Sequence, residues 1–135
     1  MRGTIFRALA VGAMMAGVAG CGPKPGTAPR AQPVPVRVTN NNRADVVVYL
    51  VRSGTPTRLG TVVSGQTQVL TIRNVPLQQL QGVQFDLHRI GTESTARTRA
   101  VSLGPRQMVV MRIEDLLSTT QVSVAENPSA ARQMP

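Results

Sequence analysis

Aromatic side chains are nearly absent from this 135-residue chain, which has no tryptophan, one tyrosine (Tyr49) and two phenylalanines (Phe6 and Phe85). Single-stranded nucleic-acid binders need stacking platforms, and carbohydrate-binding β-domains usually present them, so both readings lose ground. Cysteine occurs once, at Cys21, so no disulfide can form within the chain and stability must come from packing. Histidine also occurs once, as His88, and there are only six acids: Asp45, Asp86, Glu93, Glu114, Asp115 and Glu126. A metal site needs several converging ligands, which this inventory hardly supplies.

Catalytic motifs are missing too. No Gly-x-Ser-x-Gly elbow is present, and the glycines are dispersed as single turn residues rather than gathered into a phosphate-cradling loop. Asp86 and His88 stand two apart, so on a strand they project from the same face. Such a pair is the start of an acid/base or metal site; its commoner use is as a solvated or cross-strand polar pair. Glu114-Asp115 suits a turn, since no loop of alternating oxygen ligands surrounds it. The expectation is a protein that is not an enzyme and carries no metal or other non-covalent cofactor.

Positive charge is plentiful. Fifteen basic residues stand against six acidic ones, a formal net charge of +9, and only Lys24 is a lysine. Arg2 and Arg7 precede an apolar run of small and aliphatic residues (8–19) that ends in Val18-Ala19-Gly20-Cys21. Basic residues hold the N-terminus on the cytoplasmic side while the run enters the bilayer. Roughly 12 apolar residues fall short of the roughly 20 a permanent span requires. This layout resembles the bacterial lipoprotein class. The resemblance implies a signal peptide over residues 1–20, signal-peptidase recognition of Val18, Ala19 and Gly20, and a diacylglyceryl and acyl (palmitate-type) modification on Cys21. Stable anchoring takes two chains or one chain plus a second signal, and a diacylated or triacylated Cys21 meets that requirement. It also implies a cell-envelope location. Gly22, where the class uses aspartate for inner-membrane retention, points to the periplasmic face of the outer membrane in a two-membrane cell.

Residues 21–35 follow with recurring prolines and almost no large apolar side chains. They read as an extended polyproline-like tether, with a proline-rich ligand for another domain as the alternative. From residue 36 to 126 the pattern turns to short β-type segments, and 127–135 reads as a disordered tail. Residues 45–52 (DVVVYLVR) and 107–113 (QMVVMRI) are near-continuous apolar runs expected to be central strands. Tyr49, inside the first run, is expected in the core. Ser64-Gly65 suits a tight hairpin, and Asn40-Asn41-Asn42 a turn whose residues tolerate left-handed backbone. Residues 66–73 alternate with Leu70 and Ile72 on one face; residues 82–90 alternate with Val83, Phe85 and Leu87 inward. Pro76 excludes a central strand position, and Leu77 with Leu80 suggests one helical turn. Residues 96–103 form a further strand and 119–125 the last.

Seven or eight short strands without helical periodicity predict an all-β, antiparallel β-sandwich behind the signal peptide and tether. In architecture alone it resembles immunoglobulin-like or transthyretin-like sandwiches, which carries no function with it. Two roles follow. One is a structural or protein-interaction module that recruits an envelope protein through an exposed strand edge. The other is a ligand-binding lipoprotein that holds an anionic component, such as a lipid phosphate or lipopolysaccharide, on an arginine face. Arg97 and Arg99 fall on one side of a predicted strand, Arg106 follows the next turn, and Arg112 joins them if the two strands form a hairpin. Guanidinium groups grip phosphates and carboxylates bidentately, which gives such a face its chemistry. The plain alternative is a solvated face written in arginine.

Overall fold

Alternating side chains give each strand one apolar and one polar face, and here two four-stranded sheets press their apolar faces together. The computed structural model describes residues 31–132; the predicted signal peptide, Cys21 and most of the tether lie outside the described residues, as do 133–135. The strands are β1 (Val34–Asn40), β2 (Val46–Arg52), β3 (Thr55–Val62), β4 (Thr67–Ile72), β5 (Gln84–Arg89), β6 (Thr95–Arg97), β7 (Gln107–Ile113) and β8 (Gln121–Glu126). One sheet has the order β4-β1-β7-β8 and the other β3-β2-β5-β6. The protein is therefore an all-β sandwich. All ladders are antiparallel except β1 with β7, which is parallel.

Both apolar runs occupy central strands, β2 and β7. Val36 and Val38 from β1, Val48 and Leu50 from β2, Phe85 and Leu87 from β5, and Met111 and Ile113 from β7 are fully buried between the sheets. Tyr49 is not in this core. It alternates with Val48 and Leu50, lies half-buried on the outer face, and meets His88 with ring centroids 4.8 Å apart. Leu77–Leu80 forms the expected helical turn, of 3-10 type, which closes the sandwich end with Leu80 buried.

Four expectations change in detail. The domain starts at Val34 rather than residue 36, because Val34 is buried and pairs with Ile72. The described part of the C-terminal segment, up to Arg132, contains local structure. Pro128–Ala131 forms a single helical turn (α1), with Asn127 Oδ1 accepting from Ser129 N. Ser64-Gly65 does not close a hairpin: β3 belongs to one sheet and β4 to the other, so the connection arches between sheets. The arch is tied elsewhere, with Gly65 N donating to Asn40 O and Ser64 N to Asp45 Oδ1. Residues 96–103 are not one strand either. The chain leaves β5 at Thr98, whose Oγ1 accepts from Phe85 N, and rejoins at the Val83–Val101 bridge one residue out of register. That extra residue is a β-bulge.

Asn40, which ends β1, and Asn41 and Asn42 after it adopt no left-handed backbone; the side chains of Asn40 and Asn42 hold the turn instead. Asn40 is 0 % exposed; its Nδ2 donates to the carbonyls of Ala44 (3.0 Å) and Val62 (2.9 Å), and its Oδ1 accepts from Asn42 N. Asn42 is 2 % exposed; its Nδ2 donates to the carbonyls of Glu114 and Asp115, and its Oδ1 accepts from Ala44 N. Replacing either by alanine strands buried backbone groups, each costing about 1–3 kcal/mol. Asn42→Ala is expected to lower unfolding free energy by about 2–4 kcal/mol. Asn41→Ala, on an exposed neighbour, should change it by less than about 0.5 kcal/mol. Urea denaturation of the two variants checks this.

Candidate functional site

The four arginines singled out in the sequence do not form one face. Arg97 ends β6 and is held by Asp86 directly across the ladder, through Nε (2.6 Å) and Nη2 (2.8 Å). The same contact holds the Asp86 carboxyl below the usual carboxylate range and raises the Arg97 guanidinium. Beyond the bulge, Arg99 turns to the other sheet and donates through Nε and Nη2 to Val122 O on β8. Arg112 is in β7 and pairs with Glu114 at 3.2 Å. The bulge at residues 98–100 separates Arg97 from Arg99, which is why strand parity misled. Of the four, Arg106 alone has neither an ion pair nor a side-chain hydrogen bond among the described residues.

Arg106 instead belongs to a different site. On the outer face of the β4-β1-β7-β8 sheet, a groove of about 790 Å³ is lined by Arg37, Arg73 and Arg106, with no Asp or Glu in its wall. β1 supplies Arg37, which points outward because Val36 and Val38 point into the core. Its ladder neighbours are Val69 on β4 and Val110 on β7. Arg73 follows the last residue of β4 and Arg106 precedes the first of β7. The floor is partly apolar, with Val69 57 % exposed and Met108 4 % exposed although both point away from the core. Residues 31–33 of the tether and the Asn127–Ala130 segment form two of the walls.

Electrostatics set this groove apart. All three arginines are exposed, and none has a carboxylate or side-chain hydrogen-bond partner among the described residues. Backbone strain helps to place two of them. Arg106 has φ 61° and Asn74, next to Arg73, has φ 57°. A non-glycine residue held left-handed costs on the order of 1 kcal/mol and persists where the surroundings fix it. Here Arg106 O accepts from Asn127 N at 2.8 Å, which ties the Arg106 turn to the C-terminal segment. Three guanidinium groups around a partly apolar floor suit a ligand with anionic oxygens and some hydrocarbon.

The remaining sequence candidates do not build a second site. Asp86 is committed to Arg97, and His88 faces Tyr49. Among the described residues no three His, Cys, Asp or Glu side chains are grouped to hold a metal. Val18, Ala19, Gly20 and Cys21 lie outside the described residues. Sequence reading named Arg106 but missed Arg37 and Arg73. The outward position of Arg37 was readable from Val34, Val36 and Val38; its nearness to the β4 and β7 residues was not, because β1 pairs with both across long sequence distances.

Arg106→Gly relieves the left-handed strain, so it should leave stability unchanged or raise it by up to about 1 kcal/mol, while weakening anion binding. Thermal denaturation beside a binding titration separates the two effects. For Asp86→Asn the expectation depends on pH. A carboxyl lowered in the folded state contributes stability above its unfolded pKa and loses it as pH falls through the folded value. The variant should be less stable than the parent near neutrality, and the gap should close below the ordinary aspartate range, as read from denaturation between pH 7 and 2. No known family model matches this chain, and no curated protein matches it significantly.

Proposed function

We infer that this protein is a lipid-anchored envelope lipoprotein whose sandwich is a non-enzymatic binding module for an anionic envelope component. The observation that carries the binding half is the groove in which Arg37, Arg73 and Arg106 stand without a carboxylate partner. The anchor half rests on the sequence: two N-terminal arginines, a short apolar run, and Val18-Ala19-Gly20-Cys21 followed by a proline-rich stretch. In this reading Cys21 carries the acyl chains, Val18, Ala19 and Gly20 are read by the signal peptidase, and residues 22–33 link lipid to domain.

The ligand is held by charge and by shape. Arginine forks pair bidentately with phosphate or carboxylate oxygens, and the exposed Val69 side chain offers contact to an apolar portion. No step of bond making or breaking is assigned to these residues.

A second reading, recruitment of a protein by strand addition, is favoured by one specific observation. Of the four edge strands, β6 has three residues, β3 contains Pro56 and a bulge at Leu59, and the β8 edge is blocked at Val122 by Arg99. β4 is the exception. Asn40 N donates to Gln66 O, and by alternation Gln68, Leu70 and Ile72 bond to β1. Thr67, Val69 and Thr71 then present their backbone groups outward, an open edge of the kind β-augmentation uses.

Two experiments test this account. Labelled palmitate should enter the wild-type protein in bacterial cells and be absent from Cys21→Ser; equal labelling of both would contradict the anchor. Capture from solubilised envelopes should recover an anionic component at low salt and release it at high salt, because exposed ion pairs are screened. A protein partner retained at high salt would favour the β4 edge instead.

A further inference from the structure

The charge of the folded domain is divided between its two ends. β1 and β7 begin, and β4 and β8 end, at one end of their sheet, as the pairs Val34 with Ile72 and Gln107 with Glu126 require. Residues 31–33 of the tether enter there. At the opposite end lie Asp45, Glu114 and Asp115, in the connections joining β1 to β2 and β7 to β8. Glu93 lies there as well, in the turn after β5, whose exit is fixed by Ile90 N donating to Asp45 O. Of the arginines at that acidic end, Arg112 pairs with Glu114 at 3.2 Å and Arg43 lies 3.8 Å from Asp115, while Arg89 has no ion pair; the four acids still outnumber these three bases. The tether end carries Arg52, Arg73 and Arg106, with Glu126 as its one carboxylate among the described residues, and Glu126 does not line the groove.

We propose that the Arg37/Arg73/Arg106 groove is a binding site for headgroup phosphates of the same membrane to which Cys21 is anchored, so that the domain docks with its tether end on the bilayer. The proposal rests on the lipid-anchor reading and names the ligand of the groove. Three observations support it together. The tether itself forms a wall of the groove, so the chain leaves the domain on the side where the arginines are. Nine residues lie between Cys21 and Ala31, so even at full extension, about 3.6 Å for each step, that end stays within roughly 36 Å of the bilayer. Lys24 and Arg30 in that segment add two more positive charges and no negative one. A surface of anionic lipids attracts basic groups within about a Debye length, roughly 8–10 Å, and repels the acidic end. Attraction at one end and repulsion at the other select one orientation of the domain. The exposed Val69 side chain in the groove suits the boundary between phosphate and acyl chain.

The test uses a chain beginning at residue 21 with Cys21→Ser, which retains the whole core between Val34 and Val122 and removes the acyl chains and the apolar run. Sedimentation with vesicles of phosphatidylcholine alone, or with phosphatidylglycerol at 30 mol % (about one lipid in three), reads binding without help from the anchor. The expected result is binding to the anionic vesicles only, weakened at least tenfold in Arg37→Gln/Arg73→Gln/Arg106→Gln. A control with equal charge loss elsewhere, Arg43→Gln/Arg58→Gln/Arg112→Gln, should stay within about threefold of the parent, since those side chains lie outside the groove. Equal loss in both variants would overturn the site in favour of diffuse charge. Saturation by millimolar inorganic phosphate with no vesicle binding would overturn the lipid assignment in favour of a free anion. Because the chain tested cannot be acylated, a negative result counts against the groove alone. Failure of palmitate labelling in cells counts against the anchor alone.

Discussion

Two buried asparagines decide how this sandwich is joined. Asn40 closes β1 and Asn42 opens the crossing to the second sheet, and together they bind carbonyls from β3 and from the turn after β7. A crossing between sheets exposes backbone groups that no ladder can satisfy, and burying them unpaired costs about 1–3 kcal/mol each. The two side chains take up those groups, so the crossing can be buried. The arch between β3 and β4 hangs from the same knot, through Gly65 N on Asn40 O and Ser64 Oγ on Asn42 O. With both crossings fixed at one end, β1 sits between β4 and β7, and the groove follows from that placement.

The knot also bears on charge. It draws Asp45 into the fold through Ser64 N and places Glu114 and Asp115 around it, where they meet Arg112 and Arg43. Acidic groups are therefore concentrated and partly neutralised at the end distant from the tether. What remains at the tether end is arginine with little to pair with. A chain with fifteen bases and six acids would be basic in any fold; the topology gives that excess a direction. The direction is what turns a solvated arginine surface into a candidate for binding a membrane.

Much of the fold was legible because burial alternates along strands such as β1 and β5. Val83, Phe85 and Leu87 inward, Leu70 and Ile72 on one side, and two central apolar runs all follow from period-two patterning. Pairing was less legible. Ser64-Gly65 has the composition of a hairpin, yet the partners of β3 and β4 are chosen by the asparagine knot, far away in sequence. Tyr49 shares an apolar run with Leu50, but a one-residue step reverses its face. The Arg97/Arg99 pair failed for a related reason: Thr98 Oγ1 replaces a backbone acceptor and lets one extra residue into the strand. Arg37, by contrast, was assignable to an outward position, and only the long-range β1 ladders reveal which residues stand beside it.

The central claim is that the tether end, with its three arginines, faces anionic headgroups while the asparagine-knot end faces away. Amide hydrogen exchange of the acylated protein in zwitterionic and in anionic bilayers tests it directly, because the anchor is present in both. The account predicts slower exchange in anionic bilayers at the outward amides of Val69 and Thr71 and at residues 104–107. Residues 41–45 and 114–116 should exchange alike in the two. Protection at residues 41–45 or 114–116, or no difference between the bilayers anywhere in the domain, would contradict it.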